Sequence, residues 1–328
     1  MFGTFRFVLA LMVVYQHYIE VRFAGYLAVF SFYCLSGYLM TRVINEVYAD
    51  GLSGFGRYLL NRALRIYPCY YAALGIAIAA IAAWPETALS VAPALGWPDQ
   101  LWPSFTIIGL APPRDGPLFV LPAWSLHVEL IHYIAIGALL GRSRMATLIW
   151  LVGAIAVPLI QWKIFGMPIG WSYFTPQGST IAFAVGACLY HFGNILPSLD
   201  RLPIWALLMI VPTIGIVFPS QIIPSSWVYS AVPIAVIAIL ALRNRPQRPW
   251  DEVLGEFAYP IFLLHVPSLV IARGVLGTDD LGAAPFALAL TATLSWLALL
   301  VIDRPIQRIR AITRRRREDG SKIAQLSR

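Results

Sequence analysis

The sequence predicts an all-α polytopic membrane protein with about ten transmembrane helices and both termini on the cytoplasmic side. Three observations lead there. Of 328 residues, 59% are hydrophobic and only 12% are charged, whereas soluble domains carry about 25% charged residues. The apolar residues gather into runs close to the ~20 residues that a helix needs to cross ~30 Å of hydrocarbon. The cations are unevenly sorted between alternate connections, as orientation in a bilayer requires.

Taken in order, the expected spans are residues 3–20, 25–44, 65–84, 118–140, 146–163, 173–193, 202–218, 226–242, 255–275 and 284–302. The first is read as a retained helix and not as a leader, because it has almost no basic n-region and no small-residue cleavage site. The longest connection, 85–117, is rich in Pro, Gly and Trp. Its apolar piece Ser104 to Leu110 is too short to span and reads as re-entrant. No linker separates domains, so the prediction is one membrane domain over 1–310 and a basic tail over 311–328.

Placing the N-terminus in the cytoplasm gives the inner connections and tail Arg42, Arg57, Arg62, Arg65, Arg142, Arg144, Arg201, Arg243, Arg245, Arg248 and nine cations from Arg304 to Arg328. The outer connections receive only Arg22, Arg114, Lys163 and Arg273. The positive-inside rule therefore fixes the expected orientation. The net charge of +8 does not point to nucleic acid, because so much of it follows the last span. That placement suits anionic lipid at a cytoplasmic surface. Cys34, Cys69 and Cys188 all lie in apolar runs and form neither a disulfide framework nor a metal-ligand spacing.

Several polar residues fall where hydrocarbon should be. Arg6 and His17 are eleven residues apart in the first span. On a helix that offset turns ~1100°, about 20° beyond three turns, and puts both on one stripe ~16 Å apart along the axis. Ionisable groups in a span are costly unless they face the protein interior, so the stripe marks a candidate site. The plainer alternative has Arg6 snorkelling to one surface and His17 packing near the other. Arg62 and Arg65, three apart at the start of the third span, bring two guanidinium forks to one face and suit a phosphate. An ordinary basic flank explains them too.

Glu129 falls in mid-span, where an unpaired carboxylate costs about 3 kcal/mol, so it is paired, protonated or faces a wet cavity. His132, at i+3, is a candidate hydrogen-bond partner; His127 lies ~200° around the helix and cannot share that face. Trp124 and Ser125 open this span at the outer interface. Ser36 and Gly37 allow close approach of a backbone or a slender ligand, and helix packing accounts for them equally. His265, between Pro260 and Pro267, reads as a packing residue. The five histidines sit on different spans without an H-E-x-x-H spacing, so no metal site is expected.

Together these stretches resemble acyltransferase family 3, a family of integral membrane acyltransferases. The resemblance rests on Arg6 and His17 separated by ten residues, Ser36-Gly37-Tyr38-Leu39, Arg62-x-x-Arg65-Ile66-Tyr67-Pro68, Trp124-Ser125-Leu126-x-Val128-Glu129, and Tyr259-x-Ile261-x-Leu263-Leu264-His265-x-Pro267. It implies a ten-helix fold in the bacterial inner membrane that takes an acyl group, acetyl above all, from cytoplasmic acyl-CoA to an acceptor outside. It implies that Arg6 and His17 are essential, that Glu129 belongs to the active centre, and that Arg62 and Arg65, beside Ser36 and Gly37, hold the CoA donor. Trp124, Ser125 and His127 then fall at the acceptor side. His127 stands where a small residue is commoner, and Cys34 and Tyr38 stand where Val and Phe are commoner. The family also implies an outer-side saccharide as acceptor, such as exopolysaccharide, lipopolysaccharide or a lipid-linked glycan.

The residues themselves suit that chemistry. Transfer from a thioester to a hydroxyl needs a base, an oxyanion stabiliser and an anchor for CoA, and His17 is the natural base. Acylation of His17 is the alternative route. Glu129 is expected to orient His17 if their helices meet. A non-catalytic glycan transporter or flippase would also bury polar groups, but the chain shows no repeat pair and no matched broken helices in two halves.

Overall fold

In the computed structural model, residues 1–19, 22–87, 98–110, 118–166, 174–203, 225–278 and 280–311 are described. Among them the chain is helical, without strands. Seven helices are long and apolar enough to cross a membrane. The chain is thus an all-α polytopic membrane protein. The expected span 202–218 lies outside the described residues apart from its first two, as do most of 85–117 and the tail beyond Ala311.

The helices are α1 (Phe2–Ile19), α2 (Arg22–Glu46), α3 (Gly51–Ala83), α4 (Pro98–Thr106), α5 (Ala123–Ala135), α6 (Arg144–Phe165), α7 (Pro176–Phe192), α8 (Ala231–Leu242), α9 (Pro249–Leu276) and α10 (Asp280–Ala298). A π-turn, Ile136–Leu140, extends α5, and a second, Leu299–Asp303, follows α10. Local chemistry accounts for several ends. Ser143 caps α6 by accepting from the Ala146 N–H, and Thr175 caps α7 ahead of Pro176 at its first turn. Gly166 and Gly277 close α6 and α9 in the left-handed conformation, with φ of 62° and 63°.

Two boundaries depart from expectation. Helix α3 spans 33 residues and begins at Gly51, well before the expected 65. At 1.5 Å per residue it is ~50 Å long, more than the hydrocarbon needs. Arg62 and Arg65 are therefore inside a helix and not at its mouth. Hydropathy places the apolar window of a helix, not its polar extension. The piece Ser104 to Leu110 belongs partly to α4 and a following turn, held on α3 by hydroxyls. Tyr67, Tyr70 and Tyr71 donate to the carbonyls of Thr106, Ser104 and Phe105 at 2.7, 2.5 and 3.0 Å.

The core forms where glycines let helices cross closely. A Cβ on Gly37 would lie 2.2 Å from the Phe183 carbonyl oxygen, and one on Gly186 would lie 2.0 Å from that of Cys34, so α2 and α7 touch backbone to backbone. Helices α1 and α9 meet in the same way at Gly3 and Gly255. The Gly3 N–H donates to Asp251 Oδ2 at 3.2 Å, and His17 meets His265 at 3.0 Å. Both pairs are 248 residues apart, so α1 and α9 run parallel and in register for ~21 Å. Apolar side chains of α6, α10 and the π-turn after it, among them Ile149, Val152, Ile164, Leu281, Trp296 and Val301, are exposed. In a bilayer they face lipid.

The ends of the helices also sort. Arg245 donates to the carbonyls of Asp200 and Leu202. Asn45 and His191 both bond the Gly141 carbonyl, and Arg310 donates to Asn61 Oδ1 at 3.1 Å. Arg42, Arg243, Arg245 and Arg310 share one cavity with Met1 and so gather at the end of the bundle that holds the N-terminus.

Candidate active site

The N-terminal end opens into a cavity of about 600 Å³ lined by Arg6, Arg42, Arg65, Arg243, Arg245 and Arg310, against three acids, Glu252, Glu256 and Asp303. A narrower chamber of about 110 Å³ lies deeper, between α1, α2, α3, α5 and α9, and reaches Ser36, Arg62, Ser125, Glu129, Tyr133 and Phe262. Arg6, Leu39, Arg65, Gly255 and Tyr259 line both. The two spaces therefore meet at Arg6 and Arg65.

Of the basic rim, Arg6, Arg65 and Arg243 make no side-chain hydrogen bond among the described residues, and of these three only Arg6 and Arg65 stand where the two spaces meet. Arg42 is paired with Glu46 at 2.8 Å, and Arg245 is spent on loop carbonyls. Arg6 and Arg65 hydrogen-bond to no described residue, and the Arg6 Nε is buried without a partner. Guanidiniums without a hydrogen-bond partner at the junction of two cavities have the chemistry to receive an oxyanion. Arg62 is placed otherwise. It is only 4% exposed, donates to Asn61 Oδ1 at 2.9 Å and Met40 Sδ at 3.4 Å, and lies over the Tyr58 ring. The expected pair thus divides: Arg65 joins the mouth to the chamber, and Arg62 forms the chamber's inner wall.

Glu129 faces the chamber and accepts from Ser36 Oγ at 2.6 Å, with Tyr133 beside it. Serine at position 36 is thus tied to the carboxylate. Gly37, one residue on, faces α7 and serves the helix crossing. Ser125 lines the chamber while its hydroxyl donates to the Pro122 carbonyl at 2.8 Å. Trp124 packs on Phe174, ring centroids 4.7 Å apart, and His127 Nδ1 accepts from the Gly109 N–H at 3.1 Å. Neither lines the wide cavity or the chamber.

Two expected partnerships of Glu129 do not form. His132 turns away, donating Nδ1–H to the Val128 carbonyl at 2.8 Å and stacking on Phe183 with centroids 4.0 Å apart and planes 3° from parallel. Spacing of i+3 allowed the contact, but the aromatic face of α7 took the ring instead. No hydrogen bond joins Glu129 to His17 either. The partner of His17 is His265, whose Nε2 lies 3.0 Å from His17 Nδ1. His265, read from the sequence as a packing residue, is fully buried and also touches His17. A histidine alone in an apolar span was the available signal; which helix it faced was not readable.

The histidine pair lies one turn beyond the chamber. Phe262 is a chamber wall with its ring centroid 6.4 Å from that of His265, and Phe32 packs against it at 6.2 Å. From the mouth, the order is thus basic cavity, Arg6 and Arg65, Glu129 chamber, two phenylalanines, histidine pair. Among the described residues, no cluster of three or more His, Cys, Asp or Glu could hold a metal.

Fold and site together define a membrane-embedded helical protein with a basic portal leading to buried acid and imidazole groups. The family model of the acyltransferase domain, acyltransferase family 3, matches residues 2–300, and the chain belongs to that family. It is an acyltransferase. No curated protein and no solved structure matches it.

Proposed function

We propose that this protein transfers an acyl group, acetyl by preference, from cytoplasmic acyl-CoA to a hydroxyl of a saccharide on the outer side of the bacterial inner membrane. The observation that carries this reading is the continuous path from a six-arginine cavity past Arg6 and Arg65 into the Glu129 chamber. The basic sorting at that end supports a cytoplasmic location for it and for both termini. The acceptor class, exopolysaccharide, lipopolysaccharide or a lipid-linked glycan, is supported by the family's habits.

The phosphates of CoA sit in the wide cavity, and Arg65 and Arg6 meet the oxyanions nearest the junction. The uncharged pantetheine arm threads the narrow chamber, for which ~110 Å³ leaves little room beyond a short acyl chain. Side-chain rotation at Phe32 and Phe262 lets the thioester reach His17. There His17 Nε2 takes the acceptor hydroxyl proton as the oxygen attacks the thioester carbon. The tetrahedral intermediate expels the CoA thiolate, which takes the proton from His17. Glu129, held by Ser36, keeps the chamber polar and its register fixed.

The test uses purified protein in nanodiscs with acetyl-CoA and candidate glycans. CoA release that depends on added glycan is the expected result; release indifferent to every glycan overturns the acceptor class. Arg65→Glu should raise KM for acetyl-CoA about 10–100-fold, with kcat less affected, since it reverses a charge at the portal. A fall in kcat with KM unchanged removes Arg65 from donor binding.

A further inference from the structure

We propose that His265 is a positioning residue that makes His17 a base at Nε2, doing with a neutral imidazole what a carboxylate does in a Ser-His-Asp triad. This rests on the reading of His17 as the base. The argument follows protons. His265 Nδ1 lies 3.1 Å from the Ile261 carbonyl, four residues back on its own helix. A carbonyl only accepts, so Nδ1 carries the proton, and neutral His265 has a lone pair at Nε2. His17 repeats the arrangement, with Nδ1 at 2.9 Å from the Val13 carbonyl. Its proton also sits on Nδ1, and that N–H faces two acceptors at once, Val13 O and His265 Nε2 at 3.0 Å.

Everything that donates in this pair is then satisfied, and one lone pair is left over: His17 Nε2. That is the atom a general base needs free. When it takes a proton, His17 becomes an imidazolium with donors at both nitrogens. The Nδ1–H keeps its two acceptors, and His265 Nε2 stabilises the new charge without releasing a proton itself. No described acid bonds to His17, so the imidazole lone pair takes the place that a carboxylate holds in hydrolase triads.

The pair is held rigidly for this purpose. Tyr18, next to His17, donates its hydroxyl to the His265 carbonyl at 2.8 Å and lies 2.8 Å from Thr291 Oγ1 of α10. His265 is fully buried. Three helices therefore fix the two rings.

The experiment compares His265→Gln with His265→Leu, with His17→Ala as the control. Glutamine can place an amide oxygen near the lost Nε2 and accept from His17; leucine fills the space and cannot. H265L should lower kcat about 10–100-fold, the usual cost of losing an orienting partner, with KM for acetyl-CoA within about twofold. H265Q should recover to within about fivefold of the parent. Equal losses in H265Q and H265L, or an unchanged kcat in H265L, overturn the proposal. If H17A is active, the base assignment itself fails, and the two failures are distinguishable. A second measurement needs no variant to fold beyond the control: nitrogen-15 spectra of histidine-labelled protein, with H17A identifying the His17 signals. The expected result is His17 with a protonated Nδ1 and bare Nε2. The opposite tautomer overturns the proposal.

Discussion

Helices α1 and α9 grip each other at two places ~21 Å apart, and the two grips use opposite materials. At the N-terminal end Asp251 of α9 accepts from the Gly3 N–H, the Thr4 N–H and the Thr4 hydroxyl at 3.2, 2.8 and 2.7 Å. A carboxylate from one helix thus caps another, satisfying donors that a helix start leaves bare and favoured by its dipole. At the other end two neutral rings meet. The charged grip contributes stability and register. The neutral one contributes little binding energy, and it leaves a nitrogen free. Chemistry is therefore expected where the contact is weak, and scaffolding where it is strong.

Substitutions can break that comparison. The largest expected effect is His17→Ala, which should lower acyl transfer by about 10³-fold, within the usual range for one general base, while the thermal midpoint in detergent moves little. Substantial activity at normal protein levels would remove His17 from the reaction. Next is Gly3→Val. A Cβ on Gly3 would lie 1.6 Å from the Asp251 carbonyl oxygen, so the helices must separate, at about 3 kcal/mol or more. Poor accumulation of folded protein is expected, read by fluorescence-detected gel filtration. Asp251→Ala should cost about 2–3 kcal/mol by stranding the capped donors, with the rate per folded molecule retained. If D251A abolishes turnover at full stability, the division between the two ends is wrong. The smallest effect is Thr4→Val, about 1 kcal/mol for one hydrogen bond, measured by the same unfolding midpoint.

Much of this was readable beforehand, for particular reasons. The Arg6–His17 stripe survives because a helical offset of eleven is geometry internal to one helix. Glu129 in mid-span had to be satisfied locally, and Ser36 satisfies it. What could not be read was which helix faces which. Asp251 falls just ahead of the expected span 255–275 and is the cap of α1; His265 read as packing and touches His17. Arg62 and Arg65 suited one phosphate together, yet while both line the Glu129 chamber only Arg65 also reaches the wide basic cavity. Trp124 and His127 sat beside the Glu129 motif in sequence, but one packs on Phe174 and the other on the Gly109 backbone. Contacts across 248 residues leave no periodic trace in either segment.

The double grip has a mechanical consequence. Two parallel helices pinned ~21 Å apart act as a strut: sliding one past the other by a turn, ~5.4 Å, would break the Asp251 cap and part the histidines together. Sliding of α1 along α9 is therefore opposed at both ends at once. On the proposed path, rotation of the Phe32 and Phe262 side chains beside His265 would open the way to His17 while this strut stays fixed.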